Sequence, residues 1–163
     1  MNQGQKAVKS GLKLEDRVEE LLLSKLTIEV SKYSQTKKRT DMLLKSAPYT
    51  NVYGNTRCRS EFLLCHNGRR IRIECKTQHS AGSVDEKLPY LFLNFTKTIP
   101  EKEAIIIIEG DGFKAGAKEW LKRKCKGTKV HVFSYNEFVS YVLQGCPTKS
   151  PFEKVLESIS NLF

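Results

Sequence analysis

Apolar positions between Leu12 and Leu26 recur at helical spacing. Leu14, Val18, Leu21, Leu22 and Leu26 fall on one face and predict a first helix over 12–26. The next segment, Ser31 to Lys45, reads as a polar stretch carrying the basic run Lys37-Lys38-Arg39. Arg59–Cys65 and Arg70–Thr77 then alternate as two strands around Asn67-Gly68, a strong hairpin signal because both turn residues need positive φ. Pro89–Thr98 predicts a helix with proline at its first position. Ala104–Glu109 is continuously apolar, the pattern of a strand covered on both faces. A helix over Ala115–Cys125 and a strand over Lys129–Phe133 follow. Ser134-Tyr-Asn-Glu137 has the form of a capping box opening a helix to about Gln144, with Gly145 as terminator. A second box, Ser150-Pro-Phe-Glu153, opens a terminal helix bearing Phe152, Val155, Leu156 and Ile159. The order predicts one α/β domain over 1–163, a sandwich of helices around a mixed sheet.

Charge narrows the partners. A net charge of +10 and a pI near 9.4 favour a polyanion, through release of counterions from phosphates. The apolar fraction of 39% supports a packed core. Five cysteines, an odd number without a C-x-x-C pair, argue for reduced thiols and an intracellular, cytoplasmic protein, the host cytosol if the gene is carried by a phage or plasmid. The first residues lack the apolar core of a signal peptide, and no apolar run approaches the ~20 residues of a membrane span. No small-molecule cofactor motif is visible.

The chemistry gathers on the hairpin. On the second strand Ile71, Ile73 and Cys75 face one way, while Arg70, Arg72, Glu74, Lys76 and Gln78 face the other. A two-residue turn sets Leu64 against Ile71 and Phe62 against Ile73, so the apolar faces match. The same register sets Glu61 opposite Glu74, with Cβ atoms ~5 Å apart, and Arg59 opposite Lys76. Two like charges at that separation destabilise the pair unless something positive lies between them, and a divalent cation is the simplest remedy. The alternative is a solvated face whose carboxylates are neutralised by Arg59, Arg70 and Arg72.

The first helix adds a third carboxylate. At 100° per residue, Glu15 falls inside the apolar arc beside Val18 and Leu22, Glu19 lies at its edge, and Glu20 points away. An acid on a core-facing stripe needs a partner or a metal. The competing explanation is a first-turn glutamate favoured by the helix dipole, and Glu19 is the alternative to Glu15.

Together these residues resemble the PD-(D/E)XK nuclease superfamily, over roughly residues 11–133. The resemblance rests on Gly11-Leu-Lys-Leu-Glu15, Ser60-Glu-Phe-Leu-Leu64, Ile73-Glu-Cys-Lys-Thr-Gln78 with its E-x-K-x-Q form, and Gly82-Ser-Val-Asp-Glu-Lys-Leu-Pro-Tyr90. The second motif carries Glu61 where aspartate is usual, and Ser60 where proline is usual. The resemblance implies a restriction-endonuclease-like sandwich, a central mixed sheet with a catalytic β-hairpin flanked by helices. It further implies a magnesium-dependent endonuclease acting on DNA, with manganese as a substitute ion. Glu61, Glu74 and the Cys75 backbone carbonyl would hold the metal. Glu15 would complete its outer shell or bind a second ion. Lys76 would orient or help deprotonate the attacking water, and Gln78 would position water or phosphate. The implied products carry a 5′-phosphate and a 3′-hydroxyl.

A basic chain with an acidic centre must surround that centre with positive charge. The candidates for DNA contact are Lys37, Lys38, Arg39, Arg57, Arg59, Arg69, Arg70, Arg72 and Lys87, with Tyr49 and Tyr53 placed to pack on sugar or base. No separate reading domain is apparent, so specificity falls to loops, a homodimer or a partner. Two other functions fit the same residues: a nuclease fold that binds DNA without cutting, which Glu61 favours, and a junction-specific resolvase. An RNA-binding protein would call for an aromatic RNP motif or a GXXG loop, and neither is present.

Overall fold

The computed structural model describes residues 3–148 and 158–162. Its elements are α1 (Gln3–Lys25), β1 (Glu29–Lys32), β2 (Met42–Thr50), β3 (Arg57–His66), β4 (Arg69–Thr77), α2 (Leu88–Lys97), β5 (Glu103–Glu109), α3 (Ala117–Cys125), β6 (Val130–Phe133) and α4 (Tyr135–Leu143). Short 3-10 turns cover Tyr33–Gln35 and Asp85–Lys87. The six strands lie in chain order. β1–β2, β4–β5 and β5–β6 are parallel, and β2–β3 and β3–β4 antiparallel. This is the expected mixed sheet between helices.

Each face of the sheet buries its own core. Leu14, Val18 and Leu22 of α1, with Phe138 and Val142 of α4, pack on Leu43, Phe62, Leu64, Ile71, Ile73, Ile105 and Ile107. The other face meets α2 and α3 through Ala104, Ile106, Ile108, Leu88, Phe95 and Leu121. β5 is therefore apolar on both sides, as its unbroken run of isoleucines predicts. Ser134 and Glu137 form the expected reciprocal capping box at α4. Among the described residues no helix is long and apolar enough to cross a membrane. The Ser150–Glu153 box, Phe152, Val155 and Leu156 lie outside the described residues, and Ile159 is exposed.

Two strands fall where the pattern suggested a polar stretch. β1 is a four-residue edge strand with largely exposed side chains, so it leaves no apolar signature. β2 begins with Met42-Leu43-Leu44, all buried, and continues through Pro48. Proline is tolerated there because β1 ends opposite Lys45, leaving β2 a partner on one side only.

Candidate active site

The hairpin closes as its turn residues require. Asn67 and Gly68 have φ of 51° and 71°. The ladder then runs from His66–Arg69 through Leu64–Ile71 to Phe62–Ile73, the expected register. It stops one residue short of Glu61 and Glu74. On the opposite edge of β3, Lys45 pairs with Phe62 and Ala47 with Ser60, and the intervening Ser46 turns to φ 58°. Met42, Leu44 and Ala47 consequently share one core, while Lys45 reaches Glu19 of α1. Strict alternation fails at this kink. Arg59 and Lys76 lie beyond the end of the β3–β4 ladder and are not paired in it; on its other edge Arg59 pairs with Pro48 of β2, and its Nη1 donates to the Ser46 carbonyl at 3.2 Å.

The kink frees Glu61 to meet two other carboxyls. Its Oε2 accepts from the Cys75 backbone N–H at 3.2 Å. The charge of its carboxyl also bears on Glu15 of α1 and on Glu74 of β4. Burial, then the charge of Glu61, pushes the Glu15 pKa up to about 7. Glu74 is 5% exposed, and burial followed by the Glu61 charge holds its pKa well above the usual carboxylate range. Lys76 donates to Glu74 Oε1. Burial opposes the Lys76 charge, but Glu74 and Glu61 outweigh it, so its pKa ends raised. Of the two helix candidates, Glu15 is the one brought to this cluster, since Glu19 is paired with Lys45 at 2.6 Å.

The cluster is short of positive charge. Three carboxyls converge on one ammonium, and the buried Oε2 of Glu74 has no hydrogen-bond partner. Among the described residues, no three His, Cys, Asp or Glu side chains are gathered as a ready-made metal cage. Magnesium does not ask for one, since it retains waters and takes a carboxylate or two beside substrate phosphate. The orphaned oxygen and the raised proton affinities of Glu15 and Glu74 fit a divalent cation.

Other predicted residues land differently. Gln78 is buried, with both ends of its amide bonded: Nε2 donates to the Gly112 carbonyl at 2.7 Å and Oε1 accepts from the Val84 N–H at 2.7 Å. In this arrangement it ties the chain after β4 to two loops. Arg72 is not on an open DNA-facing surface, as alternation had suggested. It is 1% exposed, and its guanidinium meets both Glu101 oxygens at 2.7 and 2.9 Å, the Ala47 carbonyl and the Ser60 hydroxyl. Arg69 is likewise occupied, by Glu103, Tyr141 and the Cys146 carbonyl. Arg57, Arg59, Arg70, Lys37, Lys38 and Lys87 are exposed. Lys38 pairs with Glu29 at 3.1 Å, and the half-buried Arg39 lies over the Tyr33 ring at 4.2 Å.

Sequence reasoning missed a second group beside the cluster. Lys13, Asp16, Arg17, His79 and Glu109 line a pocket of about 330 Å³, with Glu109 bonded to Arg17. Its traces in the sequence are His79 directly after Gln78 and the acid that ends β5.

A family model described as a PD-(D/E)XK nuclease superfamily domain matches residues 6–144. The chain belongs to the PD-(D/E)XK nuclease superfamily. Its six-stranded α/β sandwich is consistent with the restriction-endonuclease-like fold of that superfamily. Membership implies a nuclease-type hydrolase with a nucleic-acid substrate, and superfamily members typically use divalent metals. Comparison with curated proteins gave no significant match, and comparison with solved structures gave none either.

Proposed function

We propose that this nuclease domain is a magnesium-dependent endonuclease that hydrolyses phosphodiester bonds in DNA. The observation that supports this reading is the convergence of Glu15, Glu61, Glu74 and Lys76 where the β3–β4 ladder ends, leaving one buried carboxylate oxygen without a partner. Glu61, Glu74 and the Cys75 backbone carbonyl would hold the ion, with Glu15 beside them. The bound ion would supply polarisation of the scissile phosphate and a lowered pKa for a bound water. Lys76 keeps its proton at Nζ, where its charge would orient the incoming water and offset negative charge gathering on the phosphoryl oxygens. Water oxygen would bond to phosphorus as the P–O3′ bond breaks, leaving a 5′-phosphate and a 3′-hydroxyl. Gln78 would act indirectly, by fixing the end of β4 against its loops.

The test is nicking of supercoiled plasmid in magnesium and in EDTA. Wild-type protein should cut only with the metal. Lys76→Ala and Glu74→Gln should each lose about 100-fold or more, with an unchanged circular dichroism spectrum. Wild-type turnover in either variant would sink the assignment. A second reading, a DNA-binding protein with little catalysis, is favoured by Glu61 in place of the usual aspartate. It predicts binding without metal-dependent nicking in the wild-type chain.

A further inference from the structure

One exposed feature near the carboxylates has no role in the core. Tyr53, at the β2–β3 connection, is 73% exposed and stacks on Tyr90 of α2, with centroids 5.8 Å apart and planes 26° from parallel. Leu93, three residues further along α2, is also exposed. The connection is held rigidly. Asn51 Oδ1 accepts from the Tyr53 N–H at 3.1 Å, the Asn51 carbonyl from the Gly54 N–H at 3.0 Å, and buried Asn94 Oδ1 from the Val52 N–H at 2.8 Å. An exposed ring held this firmly loses little freedom when something stacks on it.

The pair also lies beside the reaction centre. Arg72, two residues before Glu74 on β4, lies over the Tyr49 ring at 5.3 Å, and that ring meets Phe95 of α2 edge-on at 5.9 Å. Tyr49 thus stands between the strand that carries Glu74 and the helix that carries Tyr90. Exposed Arg57 and Arg59 follow the loop on β3, and exposed Lys87 precedes α2. The acids next to Lys87 are turned to Lys114, whose backbone N–H bonds Asp85 at 2.8 Å and whose Nζ pairs with Glu86 at 2.9 Å.

A flat aromatic face with exposed cations on the adjoining segments suits an unpaired base with its phosphates. The bases of a closed duplex are already stacked on one another and offer no free face. We propose that Tyr53, backed by Tyr90, is a stacking platform for an unpaired base beside the cut. The substrate class is then DNA containing a single-stranded stretch. This rests on the nuclease reading above and adds the form of its substrate.

The experiment measures binding in EDTA, so that no cutting intervenes and a failure of the catalytic reading stays separate. Fluorescent oligothymidylate and a blunt duplex of equal length are titrated with wild-type protein, Tyr53→Ala and Tyr53→Phe. Tyr53→Ala should weaken single-strand affinity about tenfold and leave duplex affinity unchanged. Tyr53→Phe, which keeps the ring, should bind the single strand like wild type. Unchanged single-strand affinity in Tyr53→Ala, or an equal loss on duplex, overturns the proposal. Whether the wild-type chain nicks plasmid is read independently, through Glu74 and Lys76.

Discussion

At the scale of single residues, the candidate site is defined by where protons reside. Glu15 has an ordinary carboxyl pKa of 4.5 when unfolded and about 7 when folded, because it is partly buried beside Glu61. The folded state therefore holds this proton more tightly. The stability it contributes is present at low pH and is lost as pH rises from about 4.5 through about 7. Glu74 shifts in the same direction. Metal-free protein should accordingly show a Tm that falls across that window, and Glu15→Gln should show a shallower fall. With magnesium present the slope should flatten, since the ion binds ionised carboxylates and its affinity rises with pH. Thermal melts in EDTA and in magnesium check this, and equal slopes for wild type and Glu15→Gln would refute it. The identity of these residues was legible because carboxylates and a lysine at strand spacing are costly without a purpose. The fate of Arg72 was not. Period-two alternation gives the face a side chain leaves from, not whether that face is open. Glu101, from the loop before β5, and the Ser60 hydroxyl close over its guanidinium. Only the three-dimensional return of the chain reveals that.

At the scale of elements, turn chemistry and buried runs were readable. The hairpin register followed from Asn67-Gly68, and β5 from its isoleucines. What escaped was β1, which buries too little to leave a pattern, and the kink at Ser46, where a non-glycine residue takes φ 58°. That kink decides that Glu61 reaches across to α1. Position along the strands depends equally on the junction after β4. The Gly112 N–H donates to the Gln78 carbonyl at 2.8 Å and the Gly112 carbonyl accepts from the Gln78 side chain. A Cβ on Gly112 would stand 2.4 Å from Ser80 backbone atoms, a clash that no rotamer relieves. Gly116, at the start of α3, has φ 79° but nothing within 4 Å of an added Cβ. Gly116→Ala should therefore cost about 1–2 kcal/mol of left-handed strain. Gly112→Ala should cost about 3 kcal/mol or more, and should reduce cleavage by shifting the end of β4. Urea unfolding midpoints compare the two, and an equal or reversed order would show that the junction yields where these contacts say it cannot.

At the scale of the whole molecule, a charge of +10 has to be distributed around an acidic centre, and the fold sets two groups of the candidate DNA contacts at opposite ends of the sheet. Met42 pairs with Cys65 and Cys65 with Arg70, so the Lys37–Arg39 run, just before Met42, lies at the hairpin-turn end of the sheet. Arg70 is six residues from Lys76 on β4, about 20 Å at 3.3 Å per residue. Arg57 and Arg59 sit at the opposite end, near the carboxylates and the Tyr53 loop. The two groups also differ in what already holds them. Lys38 is paired with Glu29, and Arg39 lies over Tyr33 while its Nη1 donates to the Thr36 and Lys38 carbonyls at 2.7 and 2.9 Å. Of that run, Lys37 alone lacks such a partner among the described residues. Arg57 is exposed, and Arg59 gives up one weak bond to Ser46. A phosphate recruits the uncommitted cations first, because the others must leave a partner to reach it. In EDTA, with duplex DNA, replacing Arg57 and Arg59 together by alanine should reduce the log–log salt slope by roughly 0.9 for each phosphate no longer neutralised, so by up to about 1.8. Replacing Lys37, Lys38 and Arg39 together should reduce it by no more than about 0.9, although three charges are removed. If the triple variant shows the larger drop in slope, the DNA runs over the hairpin turn, and the path past Arg57, Tyr53 and the carboxylates is wrong.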